Sequence, residues 1–173
     1  MQITKKHFGT LAMLGALVLS PMAMAQTGAG TAATPSKQDT AFVAKASAGG
    51  MTEIQASKLA DSHAQSAAVK SFAATMVTDH TKAGDALSAI AQKDGFTPPT
   101  SPMPAQAKAL TKLESLNGAG FDKAYSSMML KDHNETIALF KKEIATGKNQ
   151  DLTSFASQTL PTLKEHLAMA KKL

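Results

Sequence analysis

From Asp39 to the C-terminal end of the chain, apolar residues recur at spacings of three and four, and no stretch alternates between apolar and polar residues. Alanine, lysine, leucine, methionine and glutamine dominate these stretches, and these residues favour helix. Prolines and glycines break the pattern between residues 95 and 104 and again between residues 117 and 120. The sequence therefore predicts an all-α fold, with helices over about residues 39–65, 67–93, 105–116, 121–146 and 150–172.

The lengths of the breaks predict how the helices are arranged. Short breaks separate the first two long helices and the last two, whereas a long proline-containing connection joins the second to the third. Short turns make neighbouring helices antiparallel, and a long connection lets the chain cross the length of a bundle. We expect an antiparallel four-helix bundle of the ferritin-like kind, with the short helix in the connection. Gly147 is expected to end the third long helix in a left-handed cap.

A nine-residue pattern occurs twice, in residues 72–80 and 125–133, at a constant offset of 53. Each copy has an aromatic residue, a methionine, an apolar residue, an aspartate and a histidine in the same order. Many four-helix bundles consist of two similar helical hairpins, so we interpret the repeat as a duplicated hairpin.

The first 25 residues have the three parts of a secretory signal peptide. Two lysines precede an apolar run over residues 8–19, and a small-x-small sequence then ends at Ala25. The run is shorter than the roughly 20 residues that span a bilayer. We predict cleavage after Ala25, a periplasmic or secreted location, and no transmembrane span in the mature chain. Residues 26–38 are then a flexible lead-in, and residues 39–173 form the bundle domain.

The chain contains neither cysteine nor arginine. Without cysteine it cannot form disulfides, thiolate metal sites or iron–sulfur clusters, and it cannot be a lipoprotein anchored through cysteine. Without arginine it lacks the planar donor pair that best recognises phosphates and guanine edges. We therefore expect no nucleic-acid partner.

Three of the five histidines lie at the centre of an apolar stripe, each on a different predicted helix. The residues three, four and seven positions away from His80, His133 and His166 share their helix faces and are largely apolar. Glu53 shares a face with small and apolar residues, and Glu143 flanks the stripe that holds His133. A buried charge is costly unless it is paired, protonated or bound to a metal. These five residues are the candidate ligands of a transition-metal ion such as Fe, Cu, Mn or Zn.

Four other polar residues have less defined positions on the helical wheel. His63 lies on a stripe of mixed polarity, and Asp122 points inward unless it serves as an N-terminal cap. Asp79 and Asp132 each precede a candidate histidine by one residue, about 100° around the helix. We expect them to point sideways or outward and to pair with lysines of adjacent helices.

Other interpretations of the inward histidines remain open. They could form a hydrogen-bond network with carboxylates that sets the register of the helices. Methionines within one turn of the histidines could add soft ligands for copper, or they could simply fill the core; they are Met76, Met129 and Met169. A standard di-iron site needs Glu-x-x-His on two helices, and the residues three positions before the histidines are Val77, Leu130 and Leu163. That kind of site is excluded.

Four segments resemble the motifs of one bacterial family. They are GGMTEI at 49–54, VKSFA leading to MVTDH at 69–80, FDKAY leading to DH at 121–133, and LPTLKEHL at 160–167. The chain resembles, over residues 39–172, the exported bacterial family called domain of unknown function 4142. The resemblance implies a ferritin-like bundle and points to Glu53, His80, His133 and His166 as site residues. It implies no established activity.

The leading functional hypothesis is an exported bundle that binds a metal for sensing, storage or stress protection. The alternative is a non-catalytic structural or interaction module of the periplasm or cell envelope with a polar core network. An enzyme that uses histidine and glutamate would need an open pocket that reaches the histidines.

Overall fold

The structure is a computed structural model that describes residues 35–173; the predicted signal peptide and residues 26–34 lie outside the described residues. The described part consists of helices joined by turns and contains no strand. The helices are α1 (Lys37–His63), α2 (Ala67–Asp94), α3 (Pro104–Glu114), α4 (Gly118–Thr146) and α5 (Gln150–Ala170). Their ends differ from the predicted ones by at most three residues. Within residues 35–173, no helix combines the length and the apolar character needed to cross a membrane.

Local capping explains where the helices begin and end. The Oγ atoms of Ser36 and Ser66 accept hydrogen bonds from the third backbone N–H of α1 and α2, and Asn149 Oδ1 does the same for α5. These bonds satisfy N–H groups that have no partner inside the helix. Gly95 ends α2 with a φ of 75°, a left-handed conformation that glycine adopts without a steric penalty. Pro104 opens α3, where the missing N–H costs nothing.

The four long helices form an antiparallel, ferritin-like bundle, as predicted. Three-residue turns join α1 to α2 and α4 to α5, α1 also packs against α4, and α2 packs against α5. The start of α1 meets the end of α4, where Lys148 N donates to Asp39 Oδ1, and the end of α2 meets the start of α5, where Lys93 pairs with Asp151. Helices α2 and α4 are therefore diagonal and parallel, so residues 95–117 must cross the length of the bundle. Helix α3 lies in this crossover and packs against α1 and α4.

The apolar core has two halves, one near each end of the bundle. One half surrounds Phe72, Met76, Phe121 and Tyr125. The other half surrounds three aromatic rings and their aliphatic neighbours, among them Phe42, Phe140, Phe155, Leu152 and Leu163. On every long helix, the residues between the two halves in sequence include a buried polar side chain, namely Glu53, His80, His133 or His166. A polar layer thus crosses the middle of an otherwise apolar core.

Two predictions about the fold are wrong. Gly147 has φ −57° and ψ 149°, so it is not a left-handed cap. Glycine fits there because a Cβ would lie only 2.6 Å from the backbone oxygen of Glu143. The repeated pattern lies on α2 and α4, whereas duplicated hairpins would relate α2 to α5. The repeat instead places matching side chains of two diagonal helices at the same level, as for Phe72 and Tyr125, with ring centroids 6.1 Å apart.

Candidate metal centre

Three imidazole rings meet in the polar layer between the two halves of the core. His80 comes from α2, His133 from α4 and His166 from α5, and all three side chains are buried. Their ring centroids are 5.4 to 5.7 Å apart, so the rings form a nearly equilateral triangle. Each histidine points into the core because it lies within the apolar stripe of its helix. The packing of three helices then places the three rings at the same height along the bundle axis.

One nitrogen of each ring faces a group that accepts a hydrogen bond. His133 Nδ1 lies 2.9 Å from the backbone oxygen of Met129, and His166 Nε2 lies 2.9 Å from Asp79 Oδ2. His80 Nδ1 lies 3.1 Å from Glu53 Oε2. A carbonyl or an ionised carboxylate oxygen can only accept, so when Glu53 and Asp79 are ionised the ring proton of each neutral imidazole belongs on these nitrogens.

The opposite nitrogen of each ring then carries a lone pair. Within residues 35–173, His80 Nε2, His133 Nε2 and His166 Nδ1 are buried and have no hydrogen-bond partner. One ring nitrogen from each of the three residues lies within 4.8 Å of those of the other two. Buried polar atoms without partners are rare in folded proteins and require an explanation. Imidazole nitrogens that lie this close together suit Zn²⁺, Cu²⁺ and similar ions, which readily accept nitrogen ligands.

Glu53 lies behind two of the rings. Its Oε1 atom is 3.3 Å from His133 Nδ1, and its Oε2 atom faces His80 Nδ1. Burial, together with the nearby negative charge of Asp132, raises the pKa of Glu53 to about 8. Glu53 therefore lies beside the Nδ1 atoms of two rings, its Oε1 atom has no hydrogen-bond partner among residues 35–173, and the group of three mutually close ligands consists of histidines.

Burial also acts on the histidines. Removal from water, and then the neighbouring imidazoles, lowers the pKa of His80 to about 3. Removal from water lowers the pKa of His133 to about 4, although the Met129 carbonyl favours its protonated form. Both rings are therefore neutral at physiological pH, which is the state that binds a metal.

Asp79 has a role that the sequence did not predict. Its carboxylate was expected to pair with a lysine, and it instead accepts from His166 across the interface between α2 and α5. Asp132, its counterpart in the repeated pattern, contacts Lys131 of its own helix at 3.7 Å. Both residues precede a histidine by one position, and only the identity of the neighbouring helix distinguishes them.

Glu143 is not part of the histidine cluster. It follows His133 by ten residues on α4, which is about 15 Å along a helix axis. Its Oε2 accepts from Gln38 Nε2 at 2.9 Å near the end of the bundle. Burial, with the proximity of Asp39, raises the pKa of Glu143 to about 7. The prediction of Glu143 as a ligand at the same site is therefore corrected.

The remaining polar candidates serve the ends of helices. His63 Nδ1 lies 2.8 Å from the backbone oxygen of Leu116, and its ring packs against Phe121. Asp122 accepts from the backbone N–H groups of residues 65 and 66, so it acts as a cap for the turn before α2.

Met76 and Met129 are buried in the core half that contains Phe72 and Tyr125.

The fold and the site define an all-α, ferritin-like bundle with a buried cluster of three histidines that could hold a metal ion. The family model described as Domain of unknown function (DUF4142) matches residues 24–173, so the chain belongs to that family and the resemblance noted in the sequence is confirmed. In fold, the chain is similar to a DUF305 fragment from Deinococcus radiodurans known from a crystal structure. The TM-score is 0.70 at 14% identity, over 80% of this chain and 95% of that chain. No curated protein matches the chain.

Proposed function

We propose that this protein binds one divalent transition-metal ion through His80 Nε2, His133 Nε2 and His166 Nδ1. The observation that carries the proposal is the set of three buried ring nitrogens that have no partner among residues 35–173. Leaving three such atoms unsatisfied is costly, and a metal ion would satisfy all of them at once. Asp79 accepts from His166 Nε2, and Glu53 Oε2 lies 3.1 Å from His80 Nδ1. Carboxylates placed behind the imidazoles in this way orient histidine ligands in metalloproteins.

The ligand set favours zinc or copper. Mg²⁺ and Ca²⁺ prefer oxygen ligands, whereas imidazole suits Zn, Cu, Fe and Ni. Zn–N bonds are about 2.0–2.1 Å long, so the three nitrogens, which lie within 4.8 Å of one another, must be no more than about 4 Å apart when an ion binds. Rotation of the imidazoles within the layer would supply this movement. The carboxylates of Glu53 and Asp79 would offset the charge of the ion.

The signal-like N-terminal segment supports an exported protein, cleaved after Ala25, that works in the periplasm or outside the cell. Residues 39–173 would be its single domain. Neutral nitrogen ligands remain usable in an oxidising compartment, because they do not oxidise as cysteine does. In this setting the bundle would hold its ion for storage, sensing or stress protection.

Elemental analysis of the protein purified from its native periplasm, followed by titration of the metal-free protein with Zn²⁺ and Cu²⁺, tests the proposal. We expect one ion per chain, and no such binding when His80→Ala and His133→Ala are combined. The matched control is His63→Ala, which removes a histidine on α1 that contacts Leu116 and Phe121. Sub-stoichiometric metal that is the same in all three proteins would overturn the proposal.

The layer would also serve a second role, as a polar network that sets helix register, and the contacts of Glu53 with two helices favour it. If this were its only role, His80→Leu would leave the melting temperature equal or higher, because an apolar side chain of similar shape needs no partner. Melting that depends on added metal would contradict a purely structural role.

A further inference from the structure

A cavity of about 320 Å³ is lined by residues of all four long helices, together with Pro98 and Pro99, and reaches the histidine layer. His80, His166 and Glu53 form part of its wall. Thr81 and Asp85, at its outer side on α2, are exposed to solvent. The cavity therefore extends from exposed residues of α2 to the buried side chains of His80 and His166.

Two glycines keep the space beside His80 open. Gly50 and Gly84 line the cavity from helix interiors, where glycine weakens a helix relative to alanine. Neither has a positive φ, so the backbone conformation does not require glycine there. A Cβ at Gly84 would meet nothing within 4 Å, and one at Gly50 would lie 4.0 Å from His80 Nδ1. Packing does not require glycine either; the two residues leave open space in the cavity wall, which at Gly50 adjoins the Nδ1 side of His80.

The chemistry of the wall favours an uncharged occupant. The ionisable lining residues besides histidine are acids, and no lysine of the described chain lines the cavity. An anion would be repelled by Asp79 and Asp85, while the carboxylates of Glu53 and Asp79 balance a divalent ion. The rest of the wall is largely apolar and includes Met51, Ile54, Leu87, Phe140, Phe155 and Leu163.

We propose that this cavity binds a small, uncharged, largely apolar molecule, whose nitrogen or sulfur atom takes the metal position that the three histidines leave open. The inference rests on the metal binding proposed above. Zinc sites with three protein ligands keep such a position for water or an exogenous ligand, whereas closed structural sites use four. A cavity that ends at two of the three histidines is the feature that a closed site would lack.

Visible absorption of the cobalt(II)-substituted protein tests the inference, because the d–d bands of Co²⁺ respond to a change of ligand. The probes are pyridine, an uncharged nitrogen donor, and benzoate, an anion with a ring of the same size. We expect pyridine to shift the bands at concentrations roughly tenfold or more below those that benzoate requires. Equal binding, or tighter binding of benzoate, would overturn the uncharged-ligand proposal.

Substitutions at Gly84 test whether the probe occupies the cavity. This residue follows His80 by four positions on the same helix face, and a side chain there leans back over the preceding turn. Gly84→Leu should weaken pyridine binding by roughly tenfold or more relative to the Gly84→Ala control, with the Co²⁺ affinity unchanged. Ser88→Leu, one turn further along the exposed lining, gives a second test if the first variant folds poorly.

The outcomes separate the two proposals. If Co²⁺ does not bind the histidines, the proposed metal site fails, and the ligand site fails with it. If Co²⁺ binds but pyridine leaves its spectrum unchanged, only the ligand site fails. Pyridine binding that is equal in the leucine and alanine variants would place the ligand outside the cavity and would also overturn the inference.

Discussion

Glu53 and Glu143 are both buried carboxylates of the bundle, and burial raises the pKa of each, to about 8 and about 7. Glu53 faces two imidazoles whose other nitrogens have no partner among the described residues. Glu143 faces the Gln38 amide and Asp39, and Asp39 in turn accepts from the Lys148 backbone. Burial alone therefore does not identify a metal site. The deciding feature is whether the neighbours of the carboxylate keep lone pairs that nothing else uses.

The largest expected effect is on metal affinity when Glu53 is replaced by an amide, which cannot ionise when a metal binds. In Glu53→Gln one carboxylate oxygen becomes an NH₂ donor, which faces a ring nitrogen that also carries a proton. The ring must then move its proton to the nitrogen that would bind the metal. We expect the affinity for Zn²⁺ to fall by about 10- to 100-fold, measured by calorimetric titration.

Glu143→Gln is the matched control for that experiment, since it makes the same change in a buried glutamate about 15 Å along the bundle from His133. Its Zn²⁺ affinity should equal that of the unmodified protein. A similar loss of Zn²⁺ affinity in both variants would mean that each substitution acts by destabilising the whole fold. Glu53 would then have no specific role at the metal site.

The next effect is on stability at the Glu143 end. Asp39→Ala removes a buried carboxylate that accepts from Lys148 N at 2.8 Å and from Ser36 Oγ at 2.7 Å. We expect the free energy of unfolding in urea to fall by about 1–3 kcal/mol, with metal affinity unchanged. Asp61→Ala, on an exposed surface of α1, is the control and should change little. A loss of metal affinity in Asp39→Ala would show that the contacts around Glu143 and the histidine site are energetically coupled.

A smaller effect on the metal site is expected from Asp79. Asn at this position can still accept from His166 Nε2 through its amide oxygen, so Asp79→Asn loses the charge and keeps the geometry. We expect Zn²⁺ affinity to fall by up to about tenfold. Asp132→Asn, the equivalent change in the repeated pattern, should cost less because Asp132 contacts Lys131 instead. The reverse order would show that the contact between Asp79 and His166 does not support the site.

The last expected effect is a pH dependence of stability that arises at Glu143. Its pKa is raised from 4.5 to about 7, so the folded chain holds a proton between these values that the unfolded chain releases. The stability from this group is full below pH 4.5 and is lost as the pH rises through about 7. Asp39 and Lys142 are the charged neighbours that influence this titration.

Urea unfolding at several pH values between about 5 and 8 tests the pH dependence. Relative to Glu143→Gln, the unmodified protein should lose stability as the pH rises, because the amide cannot ionise. Glu135→Gln, an exposed glutamate on the same helix, should follow the unmodified protein. Parallel profiles for all three proteins would show that Glu143 has an ordinary pKa in the folded chain.

Most of the fold could be predicted, because helix formation depends on neighbours three and four residues away. The spacing of apolar residues located the helices, and the length of the segment between α2 and α4 indicated the crossover. The conformation of Gly147 could not be predicted from the sequence. Glycine is required there because a Cβ would come too close to Glu143 and Thr153, and that closeness is known only from the structure. The duplicated-hairpin interpretation could have been rejected from the sequence, because the two copies lie on the second and third long helices; the pattern reflects side chains that share a level in the bundle.

The candidate site could be predicted only in part. The apolar stripes around His80, His133 and His166 turned all three inward, and the structure brings them together. The sequence already allowed Glu143 to be excluded from the histidine site, because ten residues of helix separate it from His133 by about 15 Å. The hydrogen bond between Asp79 and His166 could not be predicted, because nothing in the sequence near Asp79 shows that α5 packs beside it.

The sequence by itself determined which residues form helices and which faces turn inward, because these properties follow from local periodicity and from the cost of exposing apolar side chains. The absence of cysteine also restricted any metal site to nitrogen and oxygen ligands with methionine nearby. Only the tertiary structure decided which inward residues share a level, which nitrogen of each imidazole keeps its lone pair, and which carboxylates stand behind the rings. These features depend on how four helices are aligned along one axis and on which helices are neighbours, and both are set by contacts between residues far apart in the chain.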